Sequence, residues 1–252
     1  MSKSILTIDT DKRLAILQFN RPEVRHALDK ALYKSLTQHL QSITDRDDLH
    51  ALILTGGDSF FTAGNDLNDF ASELPKEDEW FDGLVFLSAL RKIPFPVIAA
   101  VEGMAVGIGC TLLLHCDFVI SADNTIFSMP FTPLGVCPEG GSSDLLAKAV
   151  GLRKAQEWLL LGRPIPAAEA QQAGLTTQTC PAGQTLHVAQ EIAAQLAKLP
   201  RHSLLASKKL IQQHQHFDEK TCFDREQALF IEGLKHPVTQ QIIHHFLKKT
   251  HP

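Results

Sequence analysis

The sequence predicts an α/β core followed by a helical C-terminal part. Short apolar, β-branched runs recur at 5–9, 15–19, 51–55, 97–101 and 118–121 and read as strands. Stretches with helical spacing alternate with them, the pattern of an α/β sheet. Beyond Arg153 the chain reads as mostly helical, punctuated by Gly162, Pro164, Gly174, Pro181, Pro200 and Pro237. At 252 residues the chain can bury a sizeable core in one domain with an appendage. The division is an α/β core over 1–198 and a helical region over 199–252.

Taken in order, Ile5–Asp9 and Ala15–Phe19 are strands joined by a turn at Asp9–Lys12, and Asn20-Arg21-Pro22-Glu23 ends the second. A helix runs from Asp29 to Thr44 with Asp29 as N-cap. Ala51–Thr55 is a strand closed by Gly56-Gly57, and Phe60–Leu67 is a turn leading into acidic, helix-starting residues. Residues 72–79 (SELPKEDE) are charged and read as an exposed, mobile loop. A helix over 80–92 follows, then the strand Val97–Val101 and an apolar helix over Cys110–His115. Phe118–Ser121 is a strand, and 127–151 is a long loop with a helix from Ser143, a length that marks a functional loop. Helices are expected at Arg153–Leu161, Ala167–Ala173, Gly183–Leu199, Ser203–His214, Asp218–Gly233 and Thr239–Lys248. No internal repeat is visible.

The net charge of −4 gives no basic field for nucleic acid. The five cysteines form no CxxC pair and are odd in number, which favours buried thiols over a disulfide framework or a zinc site. No apolar run approaches the roughly 20 residues of a membrane span. The N-terminus lacks a signal-peptide core and the C-terminus is not a peroxisomal tripeptide. A cytoplasmic protein without metal, nucleic acid or membrane partners is expected.

The chemistry centres on PVIAAVEGMAVGIGCTLLLHCD, residues 96–117. A buried strand leads through Gly103, Ala105, Gly107 and Gly109 into a buried helix. Such a turn exposes backbone N–H groups at a helix start, where an anion or a developing oxyanion is stabilised. The glycines serve equally well to pack the helix tightly on the sheet. The turn around Asn65 has the same pattern. With the strands side by side, both turns emerge at one sheet edge, where α/β folds bind ligands. One N–H from each turn can then grip one carbonyl oxygen, as enolate formation from a thioester requires.

Glu139, on the long loop, is the candidate base. Its apolar company (Phe127, Met129, Phe131, Leu134, Val136) would raise its pKa. A solvated loop carboxylate, or one stabilising the next helix, is the alternative. Gly107-Ile108-Gly109 is not a dinucleotide fingerprint, because position 112 is leucine. No GxSxG elbow, P-loop or HExxH is present. Asp66 and Asp117 read as helix-start or turn residues.

Together, AVEGMAVGIGCTLLLHCD (100–117), FFTAGNDL (60–67), NRPEVRHAL (20–28) and GRPIPAAEAQQAGL (162–175) resemble the crotonase superfamily, the enoyl-CoA hydratase/isomerase family. The resemblance covers nearly the whole chain in order. It implies a spiral of ββα units, a helical C-terminal region for trimerisation, often a dimer of trimers, and acyl-CoA substrates. No separate cofactor is implied, because coenzyme A enters with the substrate. It implies an oxyanion hole from the N–H groups of Asn65 and Ile108. Val24, Arg25, Ala27, Ala63, Gly64, Asp66, Leu67, Gly107, Phe131 and Leu134 fall in its substrate-binding stretches, with Arg25 toward a CoA phosphate.

The departures narrow the reading. The family's hydratases activate water with two glutamates, whose places here hold Thr111 and Phe131. Glu139 sits at the position of the single catalytic glutamate of the peroxisomal-type Δ3,Δ2-enoyl-CoA isomerases. Ala63–Leu67 and Pro138–Ser143 also resemble that subgroup. The resemblance therefore implies a 3-enoyl-CoA to 2-enoyl-CoA isomerase working through a dienolate. A hydratase, a ring-modifying aromatic acyl-CoA isomerase and a non-catalytic acyl-CoA-binding paralogue remain alternatives. Glu102, where the family usually has asparagine, has no role readable from sequence.

Overall fold

The computed structural model describes residues 3–72, 79–214 and 216–250. β1 (Ser4–Asp9) and β2 (Leu14–Phe19) form an antiparallel hairpin with Ser4 opposite Phe19 and Asp9 opposite Leu14. β3 (Ala51–Thr55), β4 (Val97–Val101), β6 (Phe118–Ala122) and β9 (Gln178–Cys180) extend it in parallel, giving a six-stranded sheet of order β1-β2-β3-β4-β6-β9.

Every residue of β3 and β4 is buried, as expected for parallel strands covered on both faces. The side chains alternate between two cores. Leu52, Leu54, Val97 and Ala99 face the layer of α1 (Lys30–Thr44) and α3 (Asp82–Arg91). Ile53, Ile98 and Ile120 face Ala189, Ala193 and Leu196 of α8 (Thr185–Leu196). The apolar, β-branched runs that mark these strands in sequence therefore supply both faces at once.

A second sheet of three short strands, β5 (Met104–Val106), β7 (Ile126–Ser128) and β8 (Ile165–Pro166), lies beyond the strand ends. With β9, it adds short strands to a last third that is otherwise mostly helical, as expected, and β7 takes the first two residues of the stretch read as a loop over 127–151. Strands of two or three residues are too short to show a period. The apolar helix expected over 110–115 also starts earlier. α4 (Ile108–Thr111) opens directly after Gly107, and Leu112–His115 tighten into a 3₁₀ turn. α2 (Leu67–Ser72), α5 (Ser142–Val150), α6 (Leu152–Leu161) and α7 (Ala167–Ala173) complete the core elements. α9 (Arg201–His214), α10 (Glu219–Lys235) and α11 (Pro237–Thr250) follow. Of the expected loop at 72–79, residues 73–78 lie outside the described residues. Among the described residues no helix is long and apolar enough to cross a membrane.

Two acidic residues acquire roles here. Glu102 Oε1 accepts hydrogen bonds from Gly183 N at 3.0 Å, Thr185 N at 3.2 Å and Thr185 Oγ1 at 2.8 Å, so it caps the start of α8 from the turn after β4. Asp117 accepts from Val97 N at 2.7 Å and pairs with the buried Lys208 of α9 at 2.7 Å, while Lys208 also donates to the Phe95 carbonyl. That pair ties the helical region to the sheet.

Asp29 caps α1 as expected, accepting from Leu32 N at 2.8 Å, and it also pairs with Arg21 at 3.3 Å. Asp29→Ala is expected to cost about 1–2 kcal/mol, read from the urea midpoint, with Asp29→Asn costing less because it retains the cap.

Candidate active site

β3 and β4 are adjacent and parallel, with Leu52 opposite Val97, so the chain leaves both at the same sheet edge. Beyond that edge Thr62 pairs with Ala105 in a parallel bridge. Thr62 N donates to Met104 O and Val106 N donates to Thr62 O, both at 3.1 Å. The stretch after β3 is thereby clamped to β5, and Asn65 and Ile108 follow side by side. Gly64 has φ +85° and a Cβ there would lie 2.5 Å from the Val106 carbonyl oxygen, so only glycine permits this approach. Gly107 has φ +56° and starts α4. Among the described residues, neither the Asn65 N–H nor the Ile108 N–H has a hydrogen-bond partner. These are the two donors expected from the sequence, held by backbone geometry in the lining of a cleft.

A third strand of chain closes the site. Ala63 N donates to Arg25 O at 3.0 Å, Leu28 N to Gly64 O at 2.8 Å and Asp66 N to Leu28 O at 3.0 Å. Arg21 spans the gap with Nη1 on the Ala27 carbonyl at 2.6 Å and on Asp66 Oδ2 at 3.2 Å. Asp66 is the helix-start residue expected of it, its Oδ1 accepting from Asn68 N at 3.2 Å. Arg25 and His26 both hold positive φ in this turn, and the Arg25 guanidinium lies 5.4 Å over the Phe60 ring.

The resulting cleft has a volume of about 650 Å³. Val24, Arg25 and Ala27 form one wall, Ala63–Leu67 the next, Gly107 and Ile108 the base, and Phe131 and Leu134 the far side. All the substrate-binding positions inferred from the sequence therefore converge. The sequence reading missed the apolar wall given by the C-terminal helices, with Phe230 and Leu234 from α10 and Ile243, Phe246 and Leu247 from α11. Trp80 packs on Phe223 and Phe81 on Phe230, while Phe86 is in the core.

Glu139 does not line this cleft. Its side chain is fully buried, and Oε1 accepts from Thr111 Oγ1 at 3.1 Å, one helical turn on from Ile108. Oε2 has no hydrogen-bond partner among the described residues. Burial, reinforced by the nearby Glu226 carboxylate and opposed by the Thr111 hydroxyl, pushes the Glu139 pKa up to about 8. The sequence reading had the direction and the apolar cause but not Glu226, which comes from α10. It also missed Tyr33, whose hydroxyl donates to Asn65 Oδ1 and whose pKa is raised by burial and by Glu139. Tyr33 lies on the buried face of α1 with Leu32 and Leu36, where it is indistinguishable in sequence from an ordinary core residue.

The sequence model for "Enoyl-CoA hydratase/isomerase" matches residues 9–252. The chain belongs to the enoyl-CoA hydratase/isomerase family. Family membership accounts for the fold, which superposes on Pseudomonas aeruginosa OdaA with a TM-score of 0.92 at 33% identity, covering 98% of this chain and 99% of that one. An enoyl-CoA hydratase/isomerase from Pseudoalteromonas atlantica T6c gives a TM-score of 0.90 at 34% identity over 98% of this chain and 97% of that one. In sequence, the 2,3-dehydroadipyl-CoA hydratase of Escherichia coli is 34% identical over 90% of this chain and 89% of its own length. Human enoyl-CoA delta isomerase 2 is 29% identical over 97% of this chain and 64% of its own length. The crotonase-type fold and acyl-CoA chemistry of the enoyl-CoA hydratase/isomerase family thus hold for this chain.

A carboxyl group whose pKa rises on folding destabilises the native state as pH rises. The unfolded chain loses its proton near the ordinary glutamate value while Glu139 keeps it up to about 8. Native stability therefore falls through this window by as much as about 1.4 kcal/mol per pH unit. Glu139→Gln is expected to raise the urea midpoint more at pH 8.5 than at pH 7, and to leave it nearly unchanged at pH 4.5.

Proposed function

We propose that this protein is an enoyl-CoA isomerase that moves a 3-enoyl-CoA double bond to the 2-position. The observation that carries the reading is a single enclosed carboxylate with one bare oxygen, Glu139, raised to a pKa of about 8 beside α4. In this reading the thioester oxygen sits between the N–H groups of Asn65 and Ile108. Glu139 takes a proton from C2, the hole stabilises the dienolate, and Glu139 returns the proton to C4. A pKa near the working pH suits a group that must both accept and release the same proton. Because Glu139 is enclosed, the acyl group has to displace the side chains separating it from the cleft. Its entry then excludes water from the intermediate.

Hydration is the second reading, favoured by the hydratase names among the relatives, the E. coli protein included. Thr111 and Phe131 weigh against it. Thr111 serves as a hydrogen-bond donor to Glu139 rather than as a base, and Phe131 offers no proton acceptor. The pantetheine and nucleotide of the substrate would run along Val24–Ala27 and Ala63–Leu67, with Phe131 and Leu134 against the acyl or pantetheine carbon. A homotrimer or a dimer of trimers built on residues 199–252 belongs to the same proposal.

An ultraviolet assay separates the readings. With 3-hexenoyl-CoA the protein is expected to form the conjugated thioester, and with crotonyl-CoA to add little water. Comparable hydration of crotonyl-CoA would refute the isomerase reading. For the isomerase, kcat/KM is expected to rise with pH and level off above about 8, as Glu139 deprotonates. Glu139→Gln is expected to remove at least about 10³-fold of kcat. Gly64→Ala, which forces Asn65 away from Ile108, is expected to cost about 10²–10³-fold, the loss typical of one oxyanion donor.

A further inference from the structure

The turn that carries Glu139 is gripped from two sides by buried polar side chains that do not line the cleft. His115 Nε2 lies 2.7 Å from the Gly140 carbonyl oxygen. A carbonyl only accepts, so Nε2 carries the proton and Nδ1 is left to accept from Arg91 Nη1 at 3.4 Å. Burial and the Arg91 charge hold His115 neutral, with its pKa down at about 3. Arg91 is itself fixed, with Nε on Glu219 at 2.9 Å and its guanidinium 4.6 Å over the Phe217 ring. On the other side Glu226 Oε2 accepts from Gly141 N at 2.7 Å and Oε1 accepts from Ser143 N at 2.9 Å. The Glu139 carbonyl is closed by Ser142 Oγ at 2.7 Å.

Each of these groups carries a desolvation cost. A carboxylate at 3% exposure and an imidazole at 5% have both been taken out of water to hold consecutive peptide groups. Glu139–Ser142 are buried and lead into α5 (Ser142–Val150), so Glu226 serves the first amides of that helix as well as the turn. What the arrangement secures is the place of one side chain, since the gripped peptides directly follow Glu139.

We propose that His115 and Glu226 are positioning residues for the Glu139 carboxylate, acting through the Gly140 carbonyl and the Gly141 and Ser143 amides. The proposal rests on the reading of Glu139 as the base. His115 supplies a donor that fixes the turn, and Glu226 adds a negative charge that disfavours ionisation of Glu139. The other titratable groups about the turn are Tyr33 from α1, Cys137 on the loop itself, Cys222 from α10, and Arg91 with Glu219 behind His115. Burial raises the pKa of Tyr33, Cys137 and Cys222, which stay neutral, and Arg91 is paired with Glu219, so Glu226 is the charge whose removal moves Glu139 most.

The test compares wild type with H115F, H115Q and E226Q in two measurements. One is steady-state isomerisation of 3-hexenoyl-CoA. The other is the ¹³C titration of the Glu139 carboxyl in the substrate-free protein, assigned with Glu139→Gln. H115F is expected to lower kcat about 10²-fold with KM within about twofold, the signature of a displaced reacting group. H115Q, which keeps an N–H donor, is expected to recover most of that loss. E226Q is expected to move the Glu139 titration, and the acid limb of kcat/KM, to lower pH. Folded H115F and E226Q with wild-type kcat and titration would overturn the proposal, as would H115Q no better than H115F. If H115F does not fold, the E226Q titration decides alone. If wild type turns over no 3-enoyl thioester while E226Q still shifts the titration, the isomerase reading fails and the grip on Glu139 stands.

Discussion

The parallel pairing of β3 with β4 is the constraint on which the rest of the molecule depends. It sends two chain segments out of one sheet edge, and the Thr62–Ala105 bridge carries that alignment past the strand ends. Two backbone N–H groups then meet without any side chain having to place them. Gly64 is required because the two segments approach closer than a Cβ allows. Burial of both sheet faces keeps the alignment rigid, since neither β3 nor β4 can shift without disturbing the Leu52–Leu54 core on one side and the Ile53–Ile98 core on the other. A precise donor pair is thus a by-product of ordinary hydrophobic packing.

Glu139 is placed on the opposite principle. Glu139 is a carboxyl group placed where water is absent, with one oxygen bonded to Thr111 and one left bare. Such a group lowers native stability as soon as it ionises, so the surrounding structure must over-determine its position. Thr111 moderates the strain by favouring the ionised form, and Glu226 opposes it. The balance holds the proton affinity near neutrality.

The fold and the two glycine-bearing turns were legible in sequence because both rest on short-range signals. Buried strands show as apolar runs, and the turns show as glycine next to a helix start. All the positions inferred for the substrate meet in one cleft because they flank those same turns. What was not legible depends on pairs far apart in the chain. Glu226 reaches Gly141 across 85 residues, Lys208 reaches Asp117 across 91 and Glu102 reaches Gly183 across 81. In sequence each is an unremarkable charge in a helix or turn. The strands β5, β7, β8 and β9 escaped because two or three residues are too few to show alternation, and their pairing is set by the larger sheet beside them.

The long reach of Glu226 also sets an order of events in synthesis. The sheet strands, the Gly64–Val106 approach and the Asn65 and Ile108 N–H groups all lie in the chain up to the end of β9. The Glu226 contacts to the turn after Glu139 come from α10, in the stretch from Glu219 to Pro252 that emerges last. A chain stopped before α10 therefore carries the Gly64–Val106 approach but lacks the Glu226 side chain that holds the turn after Glu139.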